Sequence, residues 1–161
     1  MHQIGLNAEE LSALFPFHIV VDNNLSILQI GASVRKLFQL ELGVSLFDYF
    51  SLYRPDIPFS FASLKEYQNQ QIFFKAKNKP MLFRGQVVLL KNEDKLLLLC
   101  TPSILSAEEL PGLGLKISDF PIHDSTLDFL LIAQTQKNLL KDANSLSNQI
   151  STKNKSLEKA R

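Results

Sequence analysis

His123, Asp124 and Ser125 stand side by side in the stretch SDFPIHDSTLDFLLIAQ, which runs from Ser118 to Gln134. A histidine, a carboxylate and a hydroxyl are the groups of a hydrolase triad, in which the imidazole takes the nucleophile's proton and the acid orients the imidazole. That chemistry needs three side chains converging from separated backbone positions, with the histidine between the other two. Consecutive side chains diverge instead, and no glycine-flanked serine or helix-borne oxyanion hole accompanies them. The same residues read better as the start of a helix. Pro121 cannot sit inside one. Asp124 or Ser125 can cap it, and Asp128, three residues after Ser125, supplies a capping-box acid at the positive helix end.

Other chemistry finds less support. The histidines are His2, His18 and His123, with no i, i+4 pair and one cysteine, Cys100, whereas a zinc site wants four closely spaced ligands. His18 lies in a β-rich run between Phe17 and Ile19, where it could ligate a haem or simply hydrogen-bond the main chain. Twelve phenylalanines can fill a core or line a site for a small apolar ligand. Without tryptophan or a glycine-rich phosphate loop, flavin and nucleotide sites lack a basis. The expectation is therefore no catalytic residue, no cofactor and no metal.

Bulk properties narrow the class further. A net charge of +1 gives no field that would draw nucleic acid, membrane or an acidic substrate. Lys137, Lys141, Lys153, Lys155, Lys159 and Arg161 are spread along the tail without stacking aromatics beyond Phe129, as on a solvated helix exterior rather than a nucleic-acid surface. The lone cysteine excludes an internal disulfide and suits a reducing compartment. No charged-then-apolar leader opens the chain, and its longest apolar runs fall far short of the ~20 residues that span a bilayer. The expectation is a cytoplasmic protein in contact with neither membrane nor nucleic acid.

The elements that must position these residues can be read in order. NAEELSALF (Asn7 to Phe15) is a helix that Asn7 caps and Glu10 supports, ended by Pro16. Two β-rich runs follow, joined at Asp22-Asn23-Asn24, which tolerate a left-handed turn. ASVRKLFQL, SLFDYF and FSFASLKEY are three short helical candidates, separated by Gly43 and by Arg54 to Pro58. Three strands come next: Gln71 to Lys77, Met81 to Lys91 and Lys95 to Pro102, joined at Asn78-Lys79-Pro80 and Asn92-Glu93-Asp94. The fold class is α+β, with one five-stranded antiparallel sheet. The runs VVLL and LLLLC do not alternate, so both faces of the sheet centre want cover. The short helices can cover one; the other needs the N-terminal helix, a second subunit, or both.

From Asp124 to Arg161 there is neither glycine nor proline. With Phe129 as heptad position a, the a series is Phe129, Gln136, Ala143, Ile150 and Leu157, and the d series is Ile132, Leu139, Leu146, Lys153 and Ala160. The apolar members form a coiled-coil seam interrupted only by Gln136 and Lys153. At 1.5 Å per residue such a helix runs ~55 Å, too long to bury its stripe on its own domain.

Five strands interrupted by short helices, with a coiled coil leaving the C-terminus, is the layout of PAS sensor domains. The blocks FPFHIVVDNNLSILQIG, SLFDYFSLYRPDIPFSFASL, RGQVVLL, LLLLCTPSI and GLKISDFPIHDSTLDFLL resemble the PAS-like domain associated with haem–nitric-oxide-binding (H-NOX) proteins, found in soluble guanylate cyclases and bacterial signalling kinases. The resemblance implies an N-terminal helix over 1–16, a PAS-like domain over 17–123 and a signalling helix over 124–161. It implies a non-catalytic domain that forms a homodimer, or a heterodimer with a paralogue, through the PAS face and the coiled coil. Such a domain works with an H-NOX sensor on the same or another chain and does not itself bind the haem. The polar tail reads like the lead-in to a histidine kinase, with a guanylate cyclase, or a PAS domain sensing its own ligand, as alternatives. The functional residues expected on this reading are the seam (Phe129, Ile132, Leu139, Ala143, Leu146, Ile150, Leu157) and the domain–helix joint (Asp119, Pro121, His123, Asp124).

Overall fold

A computed structural model of the chain describes residues 1–91 and 93–160; Asn92, in the last of the turns expected above, and Arg161 lie outside the described residues. The order of elements is α1 (Ala8–Leu14), β1 (His18–Val21), β2 (Ile27–Ile30), α2 (Ala32–Leu37), β3 (Phe50–Arg54), α3 (Phe61–Glu66), β4 (Ile72–Ala76), β5 (Leu82–Leu90), β6 (Lys95–Pro102), α4 (Leu110–Leu113) and α5 (Ser125–Ala160). The strands form one antiparallel sheet in the order β2-β1-β6-β5-β4-β3. The class is α+β, as the residue pattern indicates.

The sheet has six strands where the sequence suggests five. The sixth is Phe50–Arg54, read above as a helical candidate running into a rigid connection. Only the front of that segment turns helically, as a single 3₁₀ turn over Leu46–Asp48. The chain then extends and pairs with β4, Phe50 against Ala76 and Leu52 against Phe74. Pairing puts Phe50 into the core beside Phe38, Phe74 and Phe83, with ring centroids 5.2, 6.5 and 5.5 Å away. Burial of one aromatic side chain by a partner strand outweighs the weak helical propensity of a five-residue segment.

The first hairpin also turns differently from its sequence reading. Leu25, not Asp22, Asn23 or Asn24, takes the left-handed conformation, with φ of 59°. Asp22 shapes the turn through its carboxylate, which accepts the Asn24 and Ser26 amides at 2.9 Å. The strain at Leu25 is offset by burial of its side chain in the core.

Alternation along the strands sends Ile19, Val21, Phe74, Phe83, Val87, Leu96 and Leu98 to the inner face, where α2 contributes Val34 and Leu37 and α3 contributes Leu64. Cys100, half-buried, also packs inward against the core, and burial pushes its thiol up to about 12, which disfavours the reactive thiolate. The outer face carries Val20, Leu90 and Leu97. The N-terminal arm lies over them through Ile4, Leu6 and Leu11, leaving a groove of about 670 Å³ beneath it. The arm is a loose cover, since α1 contains no buried residue. No described helix is long and apolar enough to cross a membrane.

Gly85 leaves no room for a side chain between β5 and β6. A Cβ there would lie 2.0 Å from the Leu99 carbonyl oxygen, a backbone atom that no side-chain rotation can move. Gly85→Ala is expected to lower stability by about 1–3 kcal/mol, the usual cost of overpacking. Urea unfolding would show this as a lower midpoint at unchanged slope.

Candidate functional site

The residues of the expected joint lie where the sheet hands over to α5. Pro121 is buried, and its carbonyl accepts the Asp124 amide at 3.1 Å. Asp124 is the helix cap. Its Oδ1 accepts both the Thr126 amide and the Thr126 hydroxyl at 2.9 Å, and its Oδ2 accepts the Thr101 hydroxyl at 2.9 Å. One carboxylate therefore satisfies an orphan N–H of the helix and fastens the helix to β6.

Asp119 fastens the preceding strap to α2. Its carboxylate accepts Lys36 Nζ at 2.8 Å and the Lys116 amide at 2.7 Å, while its main-chain oxygen accepts the Ser33 hydroxyl at 2.6 Å. Partial burial pushes the Asp119 carboxyl up, but the Lys36 and Lys116 hydrogen bonds and charges outweigh it and hold the group below its ordinary range. His123 is exposed, and its ring meets Phe15 edge-on, centroids 5.3 Å apart.

The three triad-like residues are not brought together. Among the described residues His123 has no hydrogen bond to Asp124 or Ser125, and the Asp124 carboxylate is committed to Thr101 and Thr126. No group of three or more His, Cys, Asp and Glu among the described residues could hold a metal ion. His18 is fully buried between two partners: its Nδ1–H donates to the Phe15 carbonyl at 2.8 Å, and its Nε2 accepts from Gln29 Nε2 at 2.9 Å. That arrangement requires a neutral imidazole with both nitrogens engaged, which is the main-chain role and leaves no lone pair for haem iron.

Inside the sheet, Phe17, Phe50, Phe74 and Phe83 close around a void of about 10 Å³. That is room for one water at most. Outside it, a groove of about 530 Å³ runs beside the joint, lined by Arg84, Gln86, Thr101, His123 and Asp124 among others.

Beyond the joint, α5 divides into two faces. Thr126 and Leu130 are its buried residues, and Leu130, 1% exposed, belongs to the domain core. On a 3.6-residue helix these two centre about 110° around the axis from Phe129 and Ile132. Lys137 falls on the Leu130 side, and there it pairs with Glu108 in the strap before α4. That bond and the lysine's charge hold the Glu108 carboxyl below its ordinary range.

All the expected seam residues, Phe129, Ile132, Leu139, Ala143, Leu146, Ile150 and Leu157, are exposed; Leu157 is 65% exposed. From Gln134 to Ala160 every residue is exposed, ~40 Å of helix with an unpartnered apolar stripe. Leu140, at the adjoining e position, widens that stripe. Sequence reasoning missed Thr101, Lys36, Ser33 and the Lys137–Glu108 pair, because nothing in their local pattern marks a contact made so far along the chain.

Two expected outcomes follow from this geometry. Asp124→Ala should cost about 0.5–2 kcal/mol, the usual cost of losing a cap, and should speed amide exchange at Thr126 and Leu127 more than elsewhere. Burial lowers the His18 pKa below 6.5 despite the opposing Phe15 bond. The stability it contributes is thus present above pH ~6.5 and lost as pH falls towards the depressed folded value, because the unfolded chain takes up the proton first. Asp119 and Glu108 lose theirs only in more acid solution. The thermal midpoint should drop between pH 7 and 5, and His18→Gln should flatten that drop.

Comparison with known proteins places the chain in context. The family model described as "Heme NO binding associated" matches residues 4–82 and 74–161. Rat guanylate cyclase soluble subunit beta-2 is 30% identical over 144 residues, which cover 82% of this chain and 21% of the relative. Bovine guanylate cyclase soluble subunit alpha-1 is 31% identical over 132 residues, 74% of this chain and 19% of the relative. Human guanylate cyclase soluble subunit beta-2 is 28% identical over 157 residues, 89% of this chain and 25% of the relative. The chain spans about a fifth to a quarter of the length of these curated relatives.

Proposed function

The chain belongs to the haem–NO-binding-associated family, and from that premise we propose that it is a PAS-like, non-catalytic relay domain that dimerises and passes a nitric-oxide signal from an H-NOX sensor to a catalytic output. The observation that carries this reading is α5, clamped to the sheet by Asp124 and then running free with an apolar stripe along it. A helix of this kind gains its stability from a partner rather than from propensity. The filled interior supports relay over sensing, because an interior with room for one water leaves no space for a haem, a flavin or a drug-sized ligand.

Two surfaces serve the dimer on this reading. One is the apolar outer face of the sheet under the loosely held N-terminal arm, and the other is the α5 seam. The seam points away from the domain-facing side of α5, so a second helix can pair there without displacing Leu130 from the core. Sensor binding changes how the two domains pack, and the Asp124–Thr101 bond makes α5 follow the sheet. Gln136 and Lys153 soften the seam enough for two states to exchange, and the signal shifts them through its differential affinity.

The output is a histidine kinase on the strength of the polar, lysine-rich tail; a guanylate cyclase is the second reading, favoured by the names of the relatives. Full-length protein with its sensor distinguishes them. Nitric-oxide-dependent phosphate incorporation from ATP supports the kinase, and cyclic GMP formation supports the cyclase. Removing the chain from Asp124 onward should weaken dimerisation by about tenfold or more. Equal association of the truncated and whole chains in light scattering would remove the helix from the dimer interface.

A further inference from the structure

Resting on the coiled-coil pairing proposed above, we infer that Lys153 opposes self-pairing of α5, and that the partner it favours is a parallel helix carrying a carboxylate at the facing d position. The two polar seam positions differ in what they can do with a second copy. Gln136 is at an a position, and its amide both donates and accepts, so two copies can bond each other across a parallel pair. Lys153 is at a d position, and an ammonium has three donors and no acceptor. In a parallel, in-register pair d faces d, which sets two like charges against each other inside the seam.

Nothing on α5 relieves this. The residues one turn either side of Lys153 on its own helix are Gln149, Ile150, Ser156 and Leu157, none acidic. The flanking e position holds Asn154, so a second copy brings no carboxylate there either. Asp142 lies about 16 Å earlier along the axis, and Glu158 is at a b position, outside the seam. α5 is helical and exposed through this whole stretch, so no contact among the described residues neutralises the lysine. Of the lysines between Lys137 and Ala160, only Lys153 is at a seam position; Lys137, Lys141, Lys155 and Lys159 fall at b, f, f and c, so the charge that meets a partner helix is that of Lys153 alone. Apolar seam residues supply affinity, while this single lysine decides which partner uses it.

The test uses the whole chain in sedimentation equilibrium and native mass spectrometry. Lys153→Met removes the charge and keeps the length, and it should tighten self-association about tenfold or more. Wild type mixed with the Lys153→Glu chain should form the mixed dimer well beyond the half expected for random pairing. A Lys153→Met chain that associates no more tightly than wild type, or a mixture at the random half, would overturn the inference by showing that the two lysines do not face each other. Leu146→Asp separates this from a failure of the coil itself. If that seam substitution leaves association unchanged, there is no helix pairing and both readings fall; if it breaks the dimer, the Lys153 results stand on their own.

Discussion

The carboxylate of Asp124 is shared between two parts of the molecule. One oxygen takes the Thr101 hydroxyl near the end of β6, and the other takes the amide and hydroxyl of Thr126 in the first turn of α5. A helix start that satisfied only its own orphan N–H groups could swivel on the loop before it. This one cannot turn without breaking a bond to the sheet. Leu130, one turn on, is in the core, and Lys137, two turns further, pairs with Glu108, so three points along one side of α5 fix its direction. Of the three, the exposed ion pair contributes least, since solvent screens it.

With the helix aimed this way, the distribution of apolar surface makes sense. The inner face of the sheet is closed by α2, α3 and a cluster of phenylalanines, around a void of only about 10 Å³. Such an interior moves as a unit and transmits displacement. The outer face is treated differently. Val20, Leu90 and Leu97 lie under an arm whose helix buries none of its residues, held by the Ser12 hydroxyl accepting the Ala32 amide, the Phe15 carbonyl accepting His18 Nδ1 and the edge-on contact of the Phe15 ring with His123. The same Phe15 touches the joint through His123, so the arm over the outer face and the start of α5 are in contact. A change in what covers the outer face therefore has a short physical route to the helix.

The neutral, doubly bonded His18 shows how polar groups serve this scaffold. It links the end of the N-terminal arm to β1 and β2, and Gly31 leaves room for it, since a Cβ there would lie 3.1 Å from Nδ1 and 2.1 Å from the Pro16 carbonyl oxygen. Chemistry-bearing residues are thus spent on joining elements. His18 joins the arm to the sheet, Asp119 joins the strap to α2, and Asp124 joins the sheet to α5.

Much of this was legible in the residue pattern, and where it was not, the reason is physical. The Asn7 cap, the helix start at Asp124, the class of fold, four of the six strands to within a residue or so and the apolar stripe of α5 all depend on spacing along the chain, and spacing is what sequence records. Phe50–Arg54 was misread because a short edge strand has no pattern of its own; it extends because β4 is there to pair with it and a core is there to receive Phe50. Leu25 takes the left-handed position beside three better-suited residues because only its side chain reaches the core from there. The sequence marked Asp124 as a cap but could not say that its second oxygen holds Thr101, 23 residues earlier, or that Lys36 meets Asp119, 83 residues later. Periodicity determined that α5 has an apolar stripe. Only the tertiary structure decided that the stripe is left free, because the domain takes the side of the helix carrying Thr126, Leu130 and Lys137 and turns the stripe towards solvent.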